Sequence, residues 1–383
     1  MKNILLVTRN FPPLTGGMER LNLHLYFELN KTFYVSIAGP AGCREYLDAD
    51  TQYHEFPHRP VAAFLFYSFW ATLRLALRKR PDIIIAGSGI TALSARLVGY
   101  LFNAKVITFL HGLDIIERHP IYRAFFFPAI RASDRILVNS NSTARLAVSQ
   151  RVAAHKIKVI HPGVRIPLEN IFNDKGGDFR TTFGIPEDTA ILLSVGRLTE
   201  RKGLVEFISH SLADIVKAHP KTILVIIGDE PSNAFRHKTG LKNKILKMVK
   251  KDKLENHVML LGHVTEHTLE AAFKVSQLHI FPVIDLPNDI EGFGMVAIEA
   301  AAYGLPTFAF AVGGVPDAIA DNVSGYLFQS DDYQSLTENI IQFIIGSKEH
   351  EGITQESCKH HAAKFSWILF GENVSKECHE LLQ

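Results

Sequence analysis

Short apolar segments alternate with helical patterns along the chain, and this alternation limits the possible folds more than any other feature of the sequence. The alternation is typical of parallel sheets that are covered by helices. Six strands are predicted in the first half, at residues 4–8, 34–38, 83–86, 105–109, 135–139 and 158–160. Five more are predicted in the second half, at residues 190–195, 223–227, 258–260, 278–281 and 307–309. The sequence therefore predicts an α/β protein with two parallel sheets.

The length of the chain indicates more than one domain. Its 383 residues exceed the size at which a single hydrophobic core usually stops growing. The polar stretch Pro167 to Gly177 separates the two sets of strands and has the composition of a connection. We expect a first domain over residues 1–170, a second over residues 171–365, and a C-terminal helical segment over residues 366–383.

Composition and cysteine usage argue against several classes of protein. The chain is 47% hydrophobic and 21% charged, as an ordinary globular protein is. Its three cysteines are far apart and form no CxxC pair, which argues against a zinc site and against a disulfide framework. The N-terminal apolar run stops at Arg9 and is too short for a secretory signal. We expect a reducing compartment, no cofactor and no metal ion.

Two glutamates that are eight positions apart carry the clearest chemical information in the chain. Glu299 is the only charged residue in the run Met295 to Tyr303, which predicts a buried helix opened by Gly294. Glu291 and the amides before the helix would lie at its positive end, where a phosphate is favoured. Because carboxylates also accept hydrogen bonds from hydroxyl groups, the segment suits a sugar nucleotide. The structural alternative is that Glu291 is an N-terminal helix carboxylate and that Glu299 is a core glutamate paired with a lysine.

This region resembles that of a known enzyme family. The two glutamates are followed by Tyr303-Gly304-Leu305-Pro306 and then by Val312-Gly313-Gly314-Val315-Pro316-Asp317. In this order the landmarks resemble the Glu-x7-Glu region of retaining family-4 glycosyltransferases with the GT-B fold. Asp317 departs from the pattern, because the family often has Glu there. The resemblance extends over nearly the whole chain and is strongest from residue 190 to residue 328.

The resemblance implies a fold and a set of ligand contacts. The GT-B fold has two Rossmann-like α/β/α domains that face each other across a cleft, and its C-terminal helix crosses back to the first domain. A nucleotide-diphosphate sugar would bind mainly to the second domain, and the acceptor mainly to the first. Glu291 would be a catalytic residue that binds the donor sugar, and Glu299 would bind the ribose. The leaving diphosphate would be bound by the amides of Gly292, Phe293, Gly294 and Met295.

A second motif in this half supplies cations. Arg197 and Lys202 lie five positions apart after a predicted strand, so both can reach one diphosphate. A solvated charged loop is the alternative, and Arg201 could take the place of either residue. The motif resembles the family's Gly-Arg-x4-Lys-Gly stretch, which places Arg197 and Lys202 at the donor diphosphate. The resemblance also places three residues of later loops near the nucleobase, namely Gly228, Gly262 and His263.

The candidate residues of the first half also follow predicted strands. Gly16 and Gly17 let the backbone approach a ligand, but they do not form the GxGxxG pattern of a dinucleotide site. His111 follows a predicted strand at the edge where open α/β sheets bind ligands, although a loop histidine is usually a surface residue. The resemblance places both glycines at the donor diphosphate and His111, as a catalytic residue, at the transferred sugar. It adds two further cleft candidates, Asp114 and Asn139.

Charge and aromatic residues indicate a partner for the first half. Residues 1–170 contain 21 Lys and Arg against 11 Asp and Glu, whereas the remaining residues contain 20 against 28. An aromatic cluster precedes the basic triplet Arg78-Lys79-Arg80 and comprises Phe64, Phe66, Tyr67, Phe69 and Trp70. Basic and aromatic side chains together suit an anionic membrane surface. Phe125-Phe126-Phe127 beside Arg123 and Arg131 adds to this expectation. The alternative is a core helix with a solvated basic end.

Together these motifs predict a glycosyltransferase. We expect a retaining, metal-independent hexosyl- or N-acetylhexosaminyltransferase that is cytoplasmic and peripheral on the inner face of the cell membrane. It would move a sugar from a UDP- or GDP-sugar to a lipid-linked or polysaccharide acceptor in cell-surface glycan synthesis, such as that of lipopolysaccharide. No nucleic acid partner is expected.

Two alternatives stay open at this point. One is a non-hydrolysing nucleotide-sugar epimerase on the same fold, and the other is a binding subunit without catalysis. The binding subunit would need a broken site. All five principal site residues are nevertheless present: His111, Arg197, Lys202, Glu291 and Glu299.

Overall fold

The computed structural model describes residues 1–167, 177–230, 240–346 and 352–383. The chain forms two compact units. Unit 1 comprises Met1–Gly163 together with Phe365–Gln383, and unit 2 comprises Val164–Lys364. The domain boundary expected after residue 170 lies outside the described residues.

In the described part of the chain, thirteen strands form two sheets. The strands of unit 1 are β1 (Asn3–Val7), β2 (Tyr34–Pro40), β3 (Tyr53–Phe56), β4 (Ile83–Ala86), β5 (Lys105–Leu110), β6 (Arg135–Val138) and β7 (Ile157–Val159). Those of unit 2 are β8 (Ala190–Val195), β9 (Thr222–Ile227), β10 (Val258–Gly262), β11 (Leu278–Phe281), β12 (Thr307–Phe310) and β13 (Gly325–Phe328). Their orders are β3-β2-β1-β4-β5-β6-β7 and β10-β9-β8-β11-β12-β13, with parallel pairing throughout. The predicted α/β class is confirmed.

Helices connect these strands. In chain order they are α1 (Gly17–Asn30), α2 (Val61–Lys79), α3 (Ala92–Phe102), α4 (Leu113–Ile116), α5 (Pro120–Ala132), α6 (Asn141–Ser149), α7 (Gly177–Phe183), α8 (Leu204–Phe207), α9 (Ala213–Ala218), α10 (Leu241–Lys251), α11 (Glu266–Val275), α12 (Met295–Ala302), α13 (Val315–Ala318), α14 (Tyr333–Ile344), α15 (Gln355–Ala363) and α16 (Trp367–Leu382). A π-helical turn, Ile208–Leu212, joins α8 to α9. The repeated order of strand, helix and parallel strand is the one that the sequence predicts.

The sheet of unit 1 is buried between two layers of helices. Leu5 and Val7 of β1 pack with α2, α3 and α5 in one core, whereas Ile4 and Leu6 pack with α1 and α16 in another. Successive residues of a strand point to opposite faces, so a strand that is covered on both faces must be apolar at every position. This requirement explains continuous apolar runs such as Ile83–Ala86, in which every residue is buried.

Two strands are missed by the sequence-based prediction. These are β3 and β13, and each lies at one edge of its sheet. Both are only four residues long, and β3 reads Tyr-His-Glu-Phe. Two of the four residues of β3 are polar, which gives a weak pattern, whereas the apolar Gly-Tyr-Leu-Phe of β13 is too short a run to indicate a strand by itself.

The C-terminal helix α16 belongs to unit 1 and packs against α1. The Ser366 side chain caps it by accepting a hydrogen bond from the backbone amide of Leu369 at 3.2 Å. Phe370, Val374 and Cys378 recur every four residues and are buried in the core of unit 1. The predicted return of the last helix to the first domain is confirmed.

Among the described helices, α2 is long and apolar enough to cross a membrane by length and composition. About a third of that apolar segment, 33%, is buried inside unit 1. Phe64, Ala71 and Leu75 pack into the core between this helix and the sheet. In this fold α2 is therefore a core-packed helix whose outer side is exposed.

Replacing Phe370 with alanine tests the packing of α16. The side chain is 2% exposed, so its removal leaves a cavity and should lower the free energy of unfolding by about 3–5 kcal/mol. Ile368 on the same helix is 60% exposed, and Ile368→Ala should change this free energy by less than about 0.5 kcal/mol. Urea denaturation followed by circular dichroism measures both effects. Equal losses in the two variants would contradict the burial of Phe370.

Candidate functional site

The predicted site residues of unit 2 lie in loops, and at the start of α12, near one edge of its sheet. All six strands of this parallel sheet end there, and the relevant loops follow the strands that end at Val195, Ile227, Gly262, Phe281 and Phe310. The carboxyl ends of parallel strands share one edge, and open α/β sheets bind ligands at that edge. The fold thereby brings together the loops that carry Arg197, Gly228 and His263.

Gly228 shows how closely these loops pack. Its φ is 130°, and a Cβ atom at this position would lie 2.0 Å from the carbonyl oxygen of Gly196, so only glycine fits. The Gly228 amide donates a hydrogen bond to the carbonyl oxygen of Gly262 at 2.8 Å. Backbone contacts therefore join the loop predicted to bind the diphosphate to the two loops predicted to lie near the nucleobase.

Four charged side chains form a network that we call the charge cluster: Arg201, Lys202, Asp289 and Glu291. Glu291 Oε2 accepts hydrogen bonds from Lys202 Nζ at 2.8 Å and from Arg201 Nε at 3.1 Å. Arg201 Nη1 also donates to Asp289 Oδ1 at 3.2 Å. The side chains of Arg201, Lys202 and Glu291 are only 9%, 12% and 12% exposed. The cluster thus combines two buried cations with two carboxylates.

The charge cluster keeps Glu291 ionised. Burial raises the pKa of this carboxyl, but the charges and hydrogen bonds of Lys202 and Arg201 outweigh burial and lower the pKa to about 2. Burial lowers the pKa of Lys202, and the positive charges of Arg201 and Arg197 add to this effect against the attraction of Glu291. For Arg201, the two carboxylates outweigh burial and raise the pKa. Since a buried charge without a partner is costly, the members of the cluster depend on one another.

The backbone at Glu291 is held by the loop that follows β12. The Gly314 amide donates a hydrogen bond to the carbonyl oxygen of Glu291 at 2.9 Å. A Cβ atom on Gly314 would lie 2.1 Å from the carbonyl oxygen of Gly292, so a larger residue would push the two loops apart. The glycine pair at positions 313 and 314, which the sequence shows only as part of a family motif, therefore positions Glu291.

Helix α12 follows Glu291 after a short turn. It begins at Met295, after Gly294, and the first amides of a helix have no acceptor within the helix. Phe293 is buried, while Met295 and Glu299 are half-buried. The predicted amides and both glutamates therefore lie on one short segment. Their contacts with a ligand stay predictions.

The two arginines of the loop after β8 have different environments. Arg197 is exposed, and it forms no ion pair within the described residues. Arg201 is buried and bonds to two carboxylates, which gives it a structural role that the sequence does not indicate. Asp289 was not identified at all, because 88 residues separate it from its partner and no local pattern links them.

In unit 1, His111 lies at the carboxyl end of β5 and is 7% exposed. Its Nε2 atom lies 2.9 Å from the carbonyl oxygen of Gly87. A carbonyl oxygen only accepts, so Nε2 carries a proton and donates this hydrogen bond. The backbone amide of His111 donates to Asp114 Oδ2 at 3.1 Å, which supports the turn around the histidine. Asn139, at the end of β6, accepts a hydrogen bond from Thr143 at 2.8 Å.

A carboxylate lies beside the glycine turn of unit 1. The Glu19 Oε2 atom would be 2.4 Å from a Cβ atom placed on Gly16. Glu19 is 8% exposed and accepts a hydrogen bond from Asn10 Nδ2 at 2.8 Å. This carboxylate lies near the positive end of α1 and was not identified from the sequence. The contact of Gly16 and Gly17 with a diphosphate stays a prediction.

The described residues include neither a reactive cysteine nor a cluster of metal-binding side chains. Cys43, Cys358 and Cys378 are buried free thiols, and burial raises the pKa of each to about 12. Such thiols pack as small apolar groups. No group of three or more His, Cys, Asp or Glu side chains in the described ranges is arranged to hold a metal ion. Metal independence stays a prediction.

Two family models match the chain. The model for glycosyl transferases group 1 matches residues 177–360, and the model for glycosyltransferase family 4 matches residues 15–166. The chain belongs to the family-4 glycosyltransferases. Its relative in Mycolicibacterium smegmatis, a D-inositol 3-phosphate glycosyltransferase, is 30% identical over 239 residues, which are 61% of this chain and 50% of that protein. The chain spans about half the length of the curated relatives it matches.

Solved structures share the fold over nearly the whole chain. HepE of Anabaena, in complex with UDP, matches with a TM-score of 0.79 at 17% identity, covering 99% of this chain and 100% of HepE. HepE has also been solved with UDP-glucose. WaaG, a glycosyltransferase involved in lipopolysaccharide biosynthesis, matches with a TM-score of 0.70 at 15% identity, covering 97% of this chain and 98% of WaaG. The predicted GT-B fold is confirmed.

Substituting the two arginines separately tests their different environments. Arg201→Ala removes the buried cation that bonds to both Asp289 and Glu291 and should lower the free energy of unfolding of unit 2 by about 3–5 kcal/mol. Arg197→Ala removes an exposed side chain and should change it by less than about 0.5 kcal/mol. Urea denaturation measures both. Similar losses in both variants would show that Arg201 is not the buried structural cation.

The low pKa of Glu291 predicts a pH-dependent contribution to stability. A carboxyl whose pKa falls on folding stabilises the folded state above its unfolded pKa of about 4.3, and this stabilisation is lost as the pH falls through the folded pKa. The folded pKa of Glu291 is about 2. The difference in unfolding free energy between the wild type and Glu291→Gln should therefore stay level down to about pH 5 and then shrink by up to ~1.4 kcal/mol per pH unit. Denaturation curves from about pH 7 to about pH 3 measure it, and a constant difference would contradict the lowered pKa.

Proposed function

We propose that this chain is a retaining, metal-independent glycosyltransferase whose unit 2 binds the diphosphate of a nucleotide sugar. The charge cluster carries the proposal, because it holds two buried cations near the sheet edge where open α/β sheets bind ligands. Such cations attract a diphosphate, and so do the backbone amides at the start of the helix that follows Glu291. The donor is a UDP- or GDP-sugar, and UDP is supported by HepE, which has been solved with UDP and with UDP-glucose.

The diphosphate binds by taking the place of one anion. Without a ligand, the Glu291 carboxylate neutralises Lys202 at 2.8 Å. The incoming diphosphate brings its own negative charge to Lys202 and to the exposed Arg197, which releases Glu291 from Lys202. Glu291 then accepts hydrogen bonds from the hydroxyl groups of the donor sugar, while Arg201, anchored by Asp289, continues to hold it. Glu299 binds the ribose hydroxyl groups.

Transfer breaks the bond between the anomeric carbon and the diphosphate oxygen. Positive charge develops on the sugar ring and negative charge on the diphosphate, and fixed cations and amides stabilise the negative charge. With retention, the acceptor hydroxyl enters on the face that the diphosphate leaves, and its proton passes to a diphosphate oxygen. Arg197 and Lys202 supply the positive charge that a metal ion supplies in other enzymes. His111 orients the transferred sugar.

The proposed acceptor is lipid-linked or a polysaccharide, and the proposed location is the inner face of the cell membrane. The excess of basic residues in the first half supports a membrane surface. Two fold relatives are enzymes of lipopolysaccharide synthesis: WaaG and the outer core galactosyltransferase WaaB. A lipid-linked acceptor would require the enzyme to reach the bilayer.

Replacing Glu291 with glutamine separates sugar binding from diphosphate binding. Glu291→Gln removes the carboxylate that positions the sugar, so donor turnover should fall at least about a hundredfold. The substitution keeps Lys202, which binds the diphosphate. Affinity for free UDP or GDP should fall by no more than about threefold, because the diphosphate contacts remain and Glu291 no longer competes for Lys202. Release of nucleoside diphosphate measures turnover, and calorimetric titration measures affinity.

The exposed Glu356 of α15 provides the matched control for this experiment. Glu356→Gln makes the same chemical change in the same unit and should keep both turnover and affinity. Equal losses of turnover and nucleotide affinity in Glu291→Gln would contradict a contact between Glu291 and the sugar. Donor turnover that survives the substitution would contradict its catalytic role.

The stereochemistry of the product tests retention. Proton NMR of the transferred sugar should show the anomeric configuration of the donor, and addition of EDTA should leave turnover unchanged. An inverted product would contradict retention, and inactivation by EDTA would contradict metal independence. Conversion of the donor sugar to its epimer without an acceptor, visible in the same spectra, would instead support the epimerase.

A further inference from the structure

Three adjacent helices of unit 1 expose many apolar side chains. Helices α2, α3 and α5 pack on the same side of the sheet, where α3 contacts both of the others. Nine large apolar side chains on them are 49–80% exposed, namely Phe66, Tyr67, Trp70, Leu77, Leu97, Tyr100, Leu101, Ile121 and Phe125. In the described ranges of unit 2, only four large apolar side chains are exposed, and all are aliphatic. We call the outer surface of the three helices the α2–α3–α5 face.

An apolar groove of about 570 Å³ lies along α2. Phe66, Trp70, Leu73 and Leu77 line it and recur every three or four residues, so they form one stripe along the helix. The rings of Phe66 and Trp70 lie 6.2 Å apart. Arg74, also in the lining, is exposed. The groove therefore suits an apolar chain that is attached to a negatively charged headgroup.

The charged residues of these helices are all positive. They are Arg74, Arg78, Lys79, Arg96, Arg123 and Arg131, and the three helices contain neither Asp nor Glu. A soluble surface usually intersperses both signs of charge. A second copy of the chain on this face would place like charges opposite each other in a two-fold interface, which disfavours a homodimer. An anionic bilayer matches both the positive charge and the apolar surface.

We propose that the α2–α3–α5 face docks on an anionic phospholipid bilayer and that the groove along α2 receives an acyl chain. Aromatic and apolar side chains of such faces enter the boundary between headgroups and acyl chains, and basic side chains contact the headgroups. Helix α2 lies on the bilayer and does not span it, because Phe64, Ala71 and Leu75 stay packed in the core of unit 1. The inference rests on the proposed membrane location and names the surface that makes the contact.

Trp70 reports directly on this docking. The chain has two tryptophans, so Trp367→Phe leaves Trp70 as the single fluorescent tryptophan. Vesicles of phosphatidylcholine with about one third phosphatidylglycerol should shift its emission to shorter wavelength. Bromine atoms on the acyl chains should quench most of the emission of the bound protein. Vesicles of phosphatidylcholine alone should bind at least about tenfold more weakly.

A pair of variants in this background tests the surface itself. Substitution of both Phe66→Ser and Leu77→Ser should lower the vesicle partition coefficient at least about tenfold, since two exposed apolar side chains are lost. Leu246→Ser, at a 46% exposed residue of unit 2, is the matched control and should leave the coefficient unchanged. Circular dichroism and thermal unfolding check that each variant is folded.

The outcomes distinguish this inference from the proposed membrane location. Vesicle flotation with an unquenched Trp70 would overturn the docking of this face but would keep peripheral binding. If the wild type does not bind vesicles at all, both the docking of this face and the proposed membrane location are overturned. The chain could instead dimerise in a concentration-dependent way that the double substitution abolishes. This result would assign the face to a second copy of the chain and would also overturn the inference.

Discussion

The buried ion pair between Glu291 and Lys202 is the interaction on which the proposed chemistry depends. Each side chain is only 12% exposed, and the carboxylate and the ammonium tolerate this burial because they lie 2.8 Å apart. Arg201 and Asp289 extend the pair into a network with as many negative as positive charges. In the proposed mechanism the diphosphate replaces Glu291 at Lys202 without leaving a buried charge unpaired, since Glu291 keeps Arg201. A site with the two cations alone would have to hold uncompensated charge whenever the ligand is absent.

The fold places this network through the order of its strands. Loops that follow β8, β11 and β12 carry the charged residues and the glycines that hold them, and these three strands are neighbours in the sheet. Gly314 shows the dependence most clearly, because a side chain there would collide with the carbonyl oxygen of Gly292 and displace Glu291. The close packing of two loops at this glycine thus fixes the position of the Glu291 carboxylate relative to the sheet.

Much of the fold could be predicted from the sequence, because strands that are buried on both faces are continuous apolar runs. The strands β3 and β13 were missed, the first because it is half polar and the second because four residues are too few to indicate a strand. Lys202 and Glu291 were identified as candidates from family motifs, but their ion pair was not, since 89 residues separate them. The sequence left open whether the aromatic cluster of α2 packs in the core or faces a membrane. The structure shows some of its residues in the core and others on the surface. Phe64 is fully buried in the core, whereas Phe66 and Trp70 are 59% and 51% exposed.

A crystal structure of the chain with a UDP-sugar, or with the GDP-sugar if that binds, tests the central claim most directly. We predict that a diphosphate oxygen lies within about 3.2 Å of Lys202 Nζ and that the Glu291 carboxylate contacts hydroxyl groups of the donor sugar. Arg201 should still bridge Asp289 and Glu291. A diphosphate bound away from Lys202, with Glu291 still paired to that lysine, would contradict the account.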